Sequence, residues 1–484
     1  MRSFQRKLRR LLSAASAVLV VTTAFTAISA SAQANGTSAP RTGATGSLTA
    51  VCPCTAFPPS STPVAADTGD PNSVELGVKV RASQAGDITG IRFYKSAANI
   101  GTHTGSLWAS DGTQLATGTF TNETATGWQN LTFATPIPVK ANTTYIASYH
   151  APSGHYSSDW GFNGSGTGPI TALAGGVDGP DGVYAYGPTS SFPTAGYNSS
   201  NYWVDAVFDT AGVPTTAPTV TSTTPASATA GVASTTSVTA TFSAPMDPAT
   251  LSFTLAENPG PHVPGTLTYD AASQTATFTP STQLALGATF TAWVQGADAW
   301  GRTMTSTTMW GFTTGTTPPP YTCPCSMFGT AATPAVADSG EYAATELGIR
   351  FTPSINGTVT GIRFYKGAAN TGTHTGTLWT ANGTPLATGT FTNESASGWQ
   401  TLTFATPVTV TANTLYVASY YAPNGNYSYT TSYLGYPHIN YPLTAQVSTP
   451  GQGNGTYNYG SSTAFPGTPS NGTNYWVDVT FNGG

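Results

Sequence analysis

Four cysteines stand as two triplets, Cys52-Pro53-Cys54 and Cys323-Pro324-Cys325, 271 residues apart. Four cysteines permit three pairings. One pair per triplet favours local closure, Cys52–Cys54 and Cys323–Cys325, as bonds that persist outside the cytoplasm. Pairing across the triplets and free thiols are the alternatives. A redox role needs a lowered thiol pKa and a zinc site needs further soft ligands; the neighbouring sequence supplies neither.

Acidic residues are scarce, so those present in both copies carry information. Asp67, Asp70, Glu75 and Asp205 return as Asp338, Glu341, Glu346 and Asp478. Calcium takes six to eight oxygens, which two or three carboxylates with backbone carbonyls and water can supply. If the first and last strands of a domain lie side by side, these acids could hold a structural calcium. The competing reading pairs Glu75 with Arg92, lets Asp205 cap a turn and leaves the others solvated. Glu123 and Asp205 could be imagined as a glycosidase pair, but no spacing argument unites them. Neither GxSxG nor HExxH occurs, so the expectation is a non-catalytic protein.

His103 and His374 occupy identical GTHTG turns, where an imidazole could meet a polar ligand or serve as a satisfied turn residue. Aromatic side chains make the stronger binding argument, because their faces stack on the C–H faces of sugars while nearby polar groups bond the hydroxyls. Tyr184 and Tyr186 return as Tyr457 and Tyr459, in stretches rich in Tyr, Asn and Gly. Trp160 has no tryptophan counterpart, and Tyr433, Tyr436 and Tyr441 belong to the later stretch alone. These loop aromatics are expected either to form a ligand platform or to pack within their loops. Strand-borne Trp108, Trp128 and Trp203 are expected in the core.

The elements that must position these residues come from a long duplication. Ile88–Pro152 aligns without gaps to Val359–Pro423, with 48 of 65 positions identical. TGIRFYK, GWQ and NYWVD all recur, and near the ends the offset grows from 271 to 273. A unit of about 160 residues is too long for a solenoid repeat and suits an autonomous domain. Within each copy, runs such as Tyr145–Tyr149 and Tyr202–Phe208 read as β-branched or aromatic strands separated by Gly, Asn and Pro clusters. No amphipathic helix follows the N-terminal segment. The fold class is all-β, with two jelly-roll-like sandwiches at 51–210 and 322–484 around a third sandwich at 214–315.

Only 7% of the 484 residues are charged, while aromatics reach 11%, which argues against disorder and a helical bundle. The N-terminus is basic, then apolar and Ala/Val-rich from Leu11 to Ile28, then small-residued, as in a cleavable signal over 1–34 with a linker at 35–50. Arg9-Arg10 hints at a twin-arginine route without the rest of that motif. Five of fifteen basic residues lie in the first ten positions, so cleavage leaves ten against twenty acidic. That balance repels phosphate and excludes nucleic acid as a partner. No later stretch is apolar enough to span a membrane.

The repeated signature CPC…ELG…TGIRFYK…GTHTG-LW…GWQ…NYWVD resembles the bacterial domain-of-unknown-function family numbered 4082, which implies a secreted, often multidomain protein and no catalytic motif. Between the copies, Pro218-Thr219-Val220, Ala240–Asp247, Ala276–Pro280 and Trp310–Thr314 resemble the bacterial Ig-like domain of the S-layer-protein (SbsA) type. That likeness implies a seven-stranded spacer, with Asp298-Ala299-Trp300-Gly301-Arg302 departing from the usual Asp-x-x-Gly-Asn turn. The expected function is bivalent attachment of a monomeric, extracellular protein to a polysaccharide or cell-surface glycan. A structural or adhesive surface protein contacting other proteins is the main alternative, and a glycan hydrolase the third.

Overall fold

The computed structural model describes residues 52–166 and 168–484; the signal and linker expectations, and Val51, lie outside them. Among the described residues the secondary structure is strand with two single-turn 3-10 segments. The first repeat comprises β1 (Val74–Ala82), β2 (Gly86–Lys95), β3 (Thr104–Ala109), β4 (Gln114–Thr119), β5 (Gly127–Val139), β6 (Thr144–Ala151), β7 (Ile170–Ala172), β8 (Gly182–Tyr186) and β9 (Val204–Asp209). They form two sheets, β4-β3-β6-β1 with β7 and β8 beyond β1, and β5-β2-β9. The chain crosses repeatedly between sheets, the habit of a jelly-roll-like sandwich.

Period-two patterning explains the packing. Leu131 and Phe133 of β5 point inward between exposed neighbours. Ile91 and Phe93 of β2 share the core face, in one cluster with Leu76, Val78, Tyr149 and Phe208. Gly90 sits at a register shift where β2 meets both neighbours, and a Cβ there would lie 2.1 Å from the Leu131 carbonyl oxygen. Strand β1 is buried on both faces because Trp108, Ile146, Val183 and Phe192 form a second, smaller apolar cluster over its outer side.

The middle domain holds β10 (Val220–Thr224), β11 (Thr229–Val232), β12 (Val238–Phe242), β13 (Ser252–Glu257), β14 (Gly265–Asp270), β15 (Thr275–Pro280), β16 (Thr289–Gln295) and β17 (Thr308–Thr314). The sheets are β10-β12-β15-β14 and β11-β17-β16-β13. Eight strands stand where seven are expected; short β11 runs parallel to β17 at a sheet edge. The departing turn has a use. Asp298 accepts from the backbone of Trp300 and Arg302 and pairs with the Arg302 guanidinium, while the Trp300 indole donates to Asp87 of the first repeat at 2.9 Å.

The second repeat comprises β18 (Thr345–Pro353), β19 (Gly357–Lys366), β20 (Thr375–Thr380), β21 (Pro385–Thr390), β22 (Gly398–Val410), β23 (Tyr416–Ala422), β24 (His438–Asn440), β25 (Leu443–Ala445), β26 (Thr456–Tyr459), β27 (Thr468–Pro469) and β28 (Val477–Gly483). Its sheets repeat the first frame as β21-β20-β23-β18-β25-β24, with β26 and β27 attached, and β22-β19-β28. Short β24 has no counterpart among the described strands of the first repeat.

Candidate functional site

The two cysteine pairs close locally as disulfides, Cys52–Cys54 and Cys323–Cys325. Each pins the segment that enters its sandwich, since Cys54 and Cys325 bridge to Phe208 and Phe481 of the last strands.

The recurring acids do not all meet. Asp205 lies on β9 in one sheet and Glu75 on β1 in the other, so the expected side-by-side placement of first and last strands is corrected. Asp205 is directly opposite Arg92 in the β2–β9 register. It accepts from Ala56, Phe57 and Ala206 amides and from the Arg92 guanidinium at 2.8 Å. Arg92 therefore pairs with Asp205, not with Glu75, and its guanidinium lies 4.1 Å from the Trp128 ring centroid. Asp478 repeats the amide contacts with Met327, Phe328 and Val479. Its Arg363 partner stands off at 3.5 Å; burial pushes the Asp478 carboxyl up to about 6 despite that cation.

Glu75 is buried beneath Ser148, which donates to it at 2.5 Å, and faces His150 at 3.5 Å. Glu346 keeps the serine, Ser419, but is opposite Tyr421 instead of a histidine. Burial drives its carboxyl up to about 8. Among the described residues no three His, Cys, Asp or Glu side chains converge as a metal group. Of the proposed calcium ligands, Asp67 and Asp70 line one cleft, while Glu75 and Asp205, and likewise Asp338, Glu341, Glu346 and Asp478, belong to separate networks.

For His103 and His374 the ligand-contact reading is corrected, and the alternative of a satisfied residue is the one that fits. Both are fully buried. Nδ1 of His103 lies 2.9 Å from Glu123, whose carboxylate also takes Lys95, and Nε2 lies 2.8 Å from Asn99. His374 repeats this with Glu394, Lys366 and Asn370. With both ring nitrogens engaged and the Phe93 ring 4.9 Å away, the imidazole has no face left for a ligand. Glu123 belongs to this network and Asp205 to another, so the imagined glycosidase pair does not form.

The aromatic side chains converge. Trp160, Tyr184 and Tyr186 line one cleft of about 740 Å³ in the first repeat, together with Asp67, Asp70, Tyr156, Asp159, Tyr197 and Tyr202. Trp160 is 72% exposed, and Tyr186 and Tyr197 are each 55% exposed. Backbone bonds fix the tryptophan's place: Asp159 bridges Asn201 in both directions, and the Gly161 amide donates to Asn198. Gly161 adopts φ +70°, a backbone conformation suited to glycine. Asp159 accepts from the Val64 and Ala65 amides and from the Trp203 indole. Asp70 accepts from the Tyr186 hydroxyl at 2.7 Å and from the Asn72 amide and side chain. Partial burial opposes ionisation of Asp70, but hydrogen bonds from Tyr186, Asn72 and Tyr156 outweigh it and hold the carboxyl below its ordinary value.

The matching hollow of the second repeat is about 340 Å³ and contains Tyr457 and Tyr459 with Tyr427 and Tyr475. Glu341 plays the part of Asp70, accepting from Tyr427 and Tyr459 at 2.6 and 2.5 Å. Asp338 turns away to the Ala369 amide. Thr430 and Thr431 replace Asp159 and Trp160, and Ser470 replaces Tyr197. Tyr433 and Tyr436 are not part of this hollow, a second correction to the expected platform. Tyr433 packs on Phe328 and Trp476. Tyr436 is buried and its hydroxyl donates to Glu257 of the middle domain. Nearby, the Ile439 backbone exchanges hydrogen bonds with Thr282 and takes one from Gln283.

Asp159 and Tyr197 escaped sequence reasoning that weighed acids and tyrosines by their recurrence, because neither recurs. The signal was the contrast Asp159-Trp160 against Thr430-Thr431 on an otherwise near-identical frame.

No curated protein matches the chain. Among solved structures, PcoC, a methionine-rich copper resistance protein from Escherichia coli, is similar over 20% of this chain and 99% of its own, at 15% identity and a TM-score of 0.19. CopC from Methylosinus trichosporium OB3b is similar over 22% and 99%, at 18% identity and a TM-score of 0.19. A likeness so slight says nothing of copper here. A family model described as Bacterial Ig-like domain matches residues 214–314. Another, Domain of unknown function (DUF4082), matches residues 60–204 and 331–477, more than half of the chain. The chain therefore belongs to the DUF4082 family, carrying two copies of that domain on either side of a bacterial Ig-like domain.

Proposed function

We propose that this is a secreted, monomeric, non-catalytic protein that attaches to extracellular or cell-wall polysaccharide through the cleft of its first repeat. The observation that carries the reading is the exposed aromatic ledge, Trp160 with Tyr186 and Tyr197, over an open cleft of about 740 Å³. Rings held at fixed positions stack on sugar faces at little entropic cost, and polar groups beside them bond the hydroxyls. Supporting secretion are the signal-like N-terminus, the two disulfides and the Ig-like neighbour. No helix among the described residues is long and apolar enough to cross a membrane. Attachment is mainly univalent, because the second hollow is smaller and lacks the tryptophan.

The test is co-sedimentation of the full-length chain with insoluble polysaccharides, beside Trp160→Ala and Tyr186→Ala variants. Retention that both substitutions weaken supports the reading. Retention on no glycan, or retention indifferent to both, overturns it in favour of a protein-contacting stalk; release of soluble sugar overturns the non-catalytic part.

A further inference from the structure

The first-repeat cleft combines aromatic faces with an excess of negative charge. Its lining includes three carboxylates, Asp67, Asp70 and Asp159, and no lysine, arginine or histidine. The nearest imidazole, His155, contacts Asp67 at 3.1 Å. A neutral sugar needs no such imbalance, and a divalent cation is poorly served. Most lone pairs of Asp159 and Asp70 already accept protein donors, which leaves a hard divalent cation well short of its six to eight oxygens. An organic ammonium fits both features: it is attracted to the ring faces by their quadrupoles and to fixed carboxylates by Coulomb's law, without having to replace their hydrogen bonds.

We infer that the ligand of this cleft is a polymer of amino sugars bearing free, protonated amines, its rings stacked on Trp160 and its ammonium groups facing Asp67 and Asp70. The inference rests on the glycan-binding reading and narrows it. The exposed ledge favours a flat sugar ring over a flexible lysine side chain. The second repeat is a built-in contrast, since its Asp159 and Trp160 positions are threonines and Asp338, the counterpart of Asp67, bonds the Ala369 amide instead.

Intrinsic tryptophan fluorescence of the full-length chain, titrated with defined tetramers, tests this. The probes are β-1,4-linked glucosamine, its N-acetylated form, the neutral glucose tetramer and tetralysine. The glucosamine tetramer should bind about tenfold or more tighter than the N-acetylated one, a difference within reach of one cation–π contact joined to a charge pair. Asp67→Asn and Asp70→Asn should each weaken it, as should added salt. Because Trp160→Ala removes the reporter along with the ledge, calorimetry follows that variant, which should lose binding with charge unchanged. Equal or tighter binding of the N-acetylated or glucose tetramer overturns the charge inference and leaves glycan binding intact. Tighter binding of tetralysine, or binding of the amine tetramer indifferent to Trp160→Ala, overturns it as peptide recognition or general polycation attraction. Silence from all four probes removes the underlying reading as well.

Discussion

After the bridge that follows the sixth strand, the two repeats part company. In the first, the chain turns at Asp159 and leaves Trp160 in solvent beside a cleft. In the second, the matching stretch is two residues longer, carries threonines at those places and lies against the Ig-like domain through Tyr436 and Ile439. A shared frame has thus been given two tasks, one facing outward and one holding a neighbour. Divergence is greatest in loops, because most of the 48 identities of the frame lie in strands and tight turns whose packing admits little change.

Perturbing the buried acids should sharpen this comparison most. Asp205→Ala strands Arg92 in the core and is expected to destabilise the first repeat by about 3–5 kcal/mol. Asp478→Ala should cost roughly 1 kcal/mol less, since Arg363 stands 3.5 Å from its acid whereas Arg92 bonds Asp205 at 2.8 Å. Denaturant melts followed by hydrogen exchange in each repeat would measure both; equal losses would refute the ranking.

The Glu75 and Glu346 pair comes next. Burial raises the folded-state value of Glu346 from 4.5 to about 8, so the folded form keeps a proton that the unfolded chain releases. Its contribution is intact below about pH 4.5 and is lost as pH climbs towards 8. Glu346→Gln, which retains an acceptor for Ser419, should flatten that loss. It should stabilise the second repeat at pH 8 by a few kcal/mol, because each tenfold change in proton affinity is worth about 1.4 kcal/mol. Glu75→Gln should bring no such gain, because it takes the carboxylate away from His150. Thermal melts across pH 4–9 decide, and a pH-independent effect of Glu346→Gln would rule the account out.

Binding offers a smaller contrast in free energy. Trp160→Ala should weaken polysaccharide retention about tenfold, roughly 1.4 kcal/mol, while Thr431→Ala leaves it unchanged; equal effects would make both repeats binders. The least effect is expected at the domain contact. Tyr436→Phe loses one hydroxyl bond to Glu257 and should cost about 0.5–1.5 kcal/mol. Calorimetry would register it as looser coupling between the Ig-like and second-repeat transitions.

The sequence by itself determined the duplication, the all-β class and the aromatic residues worth watching. Period-two alternation and turn residues are local signals, and a gapless repeat needs no structure to be seen. The local cysteine closure was legible for a related reason, since two cysteines separated by one proline are already neighbours.

Partnership between distant residues was not legible. Glu75 and Asp205 recur together, yet strand order sends them to different sheets, and only the β2–β9 register sets Asp205 opposite Arg92. His103 reads either as a ligand contact or as a satisfied turn residue, and only its burial against Glu123 and Asn99 decides for the second. Tyr436 and Trp160 look like equivalent loop aromatics; one is covered by a neighbouring domain and the other is bare. Exposure is a property of what packs over a side chain, and that is decided by tertiary contacts between segments far apart along the chain.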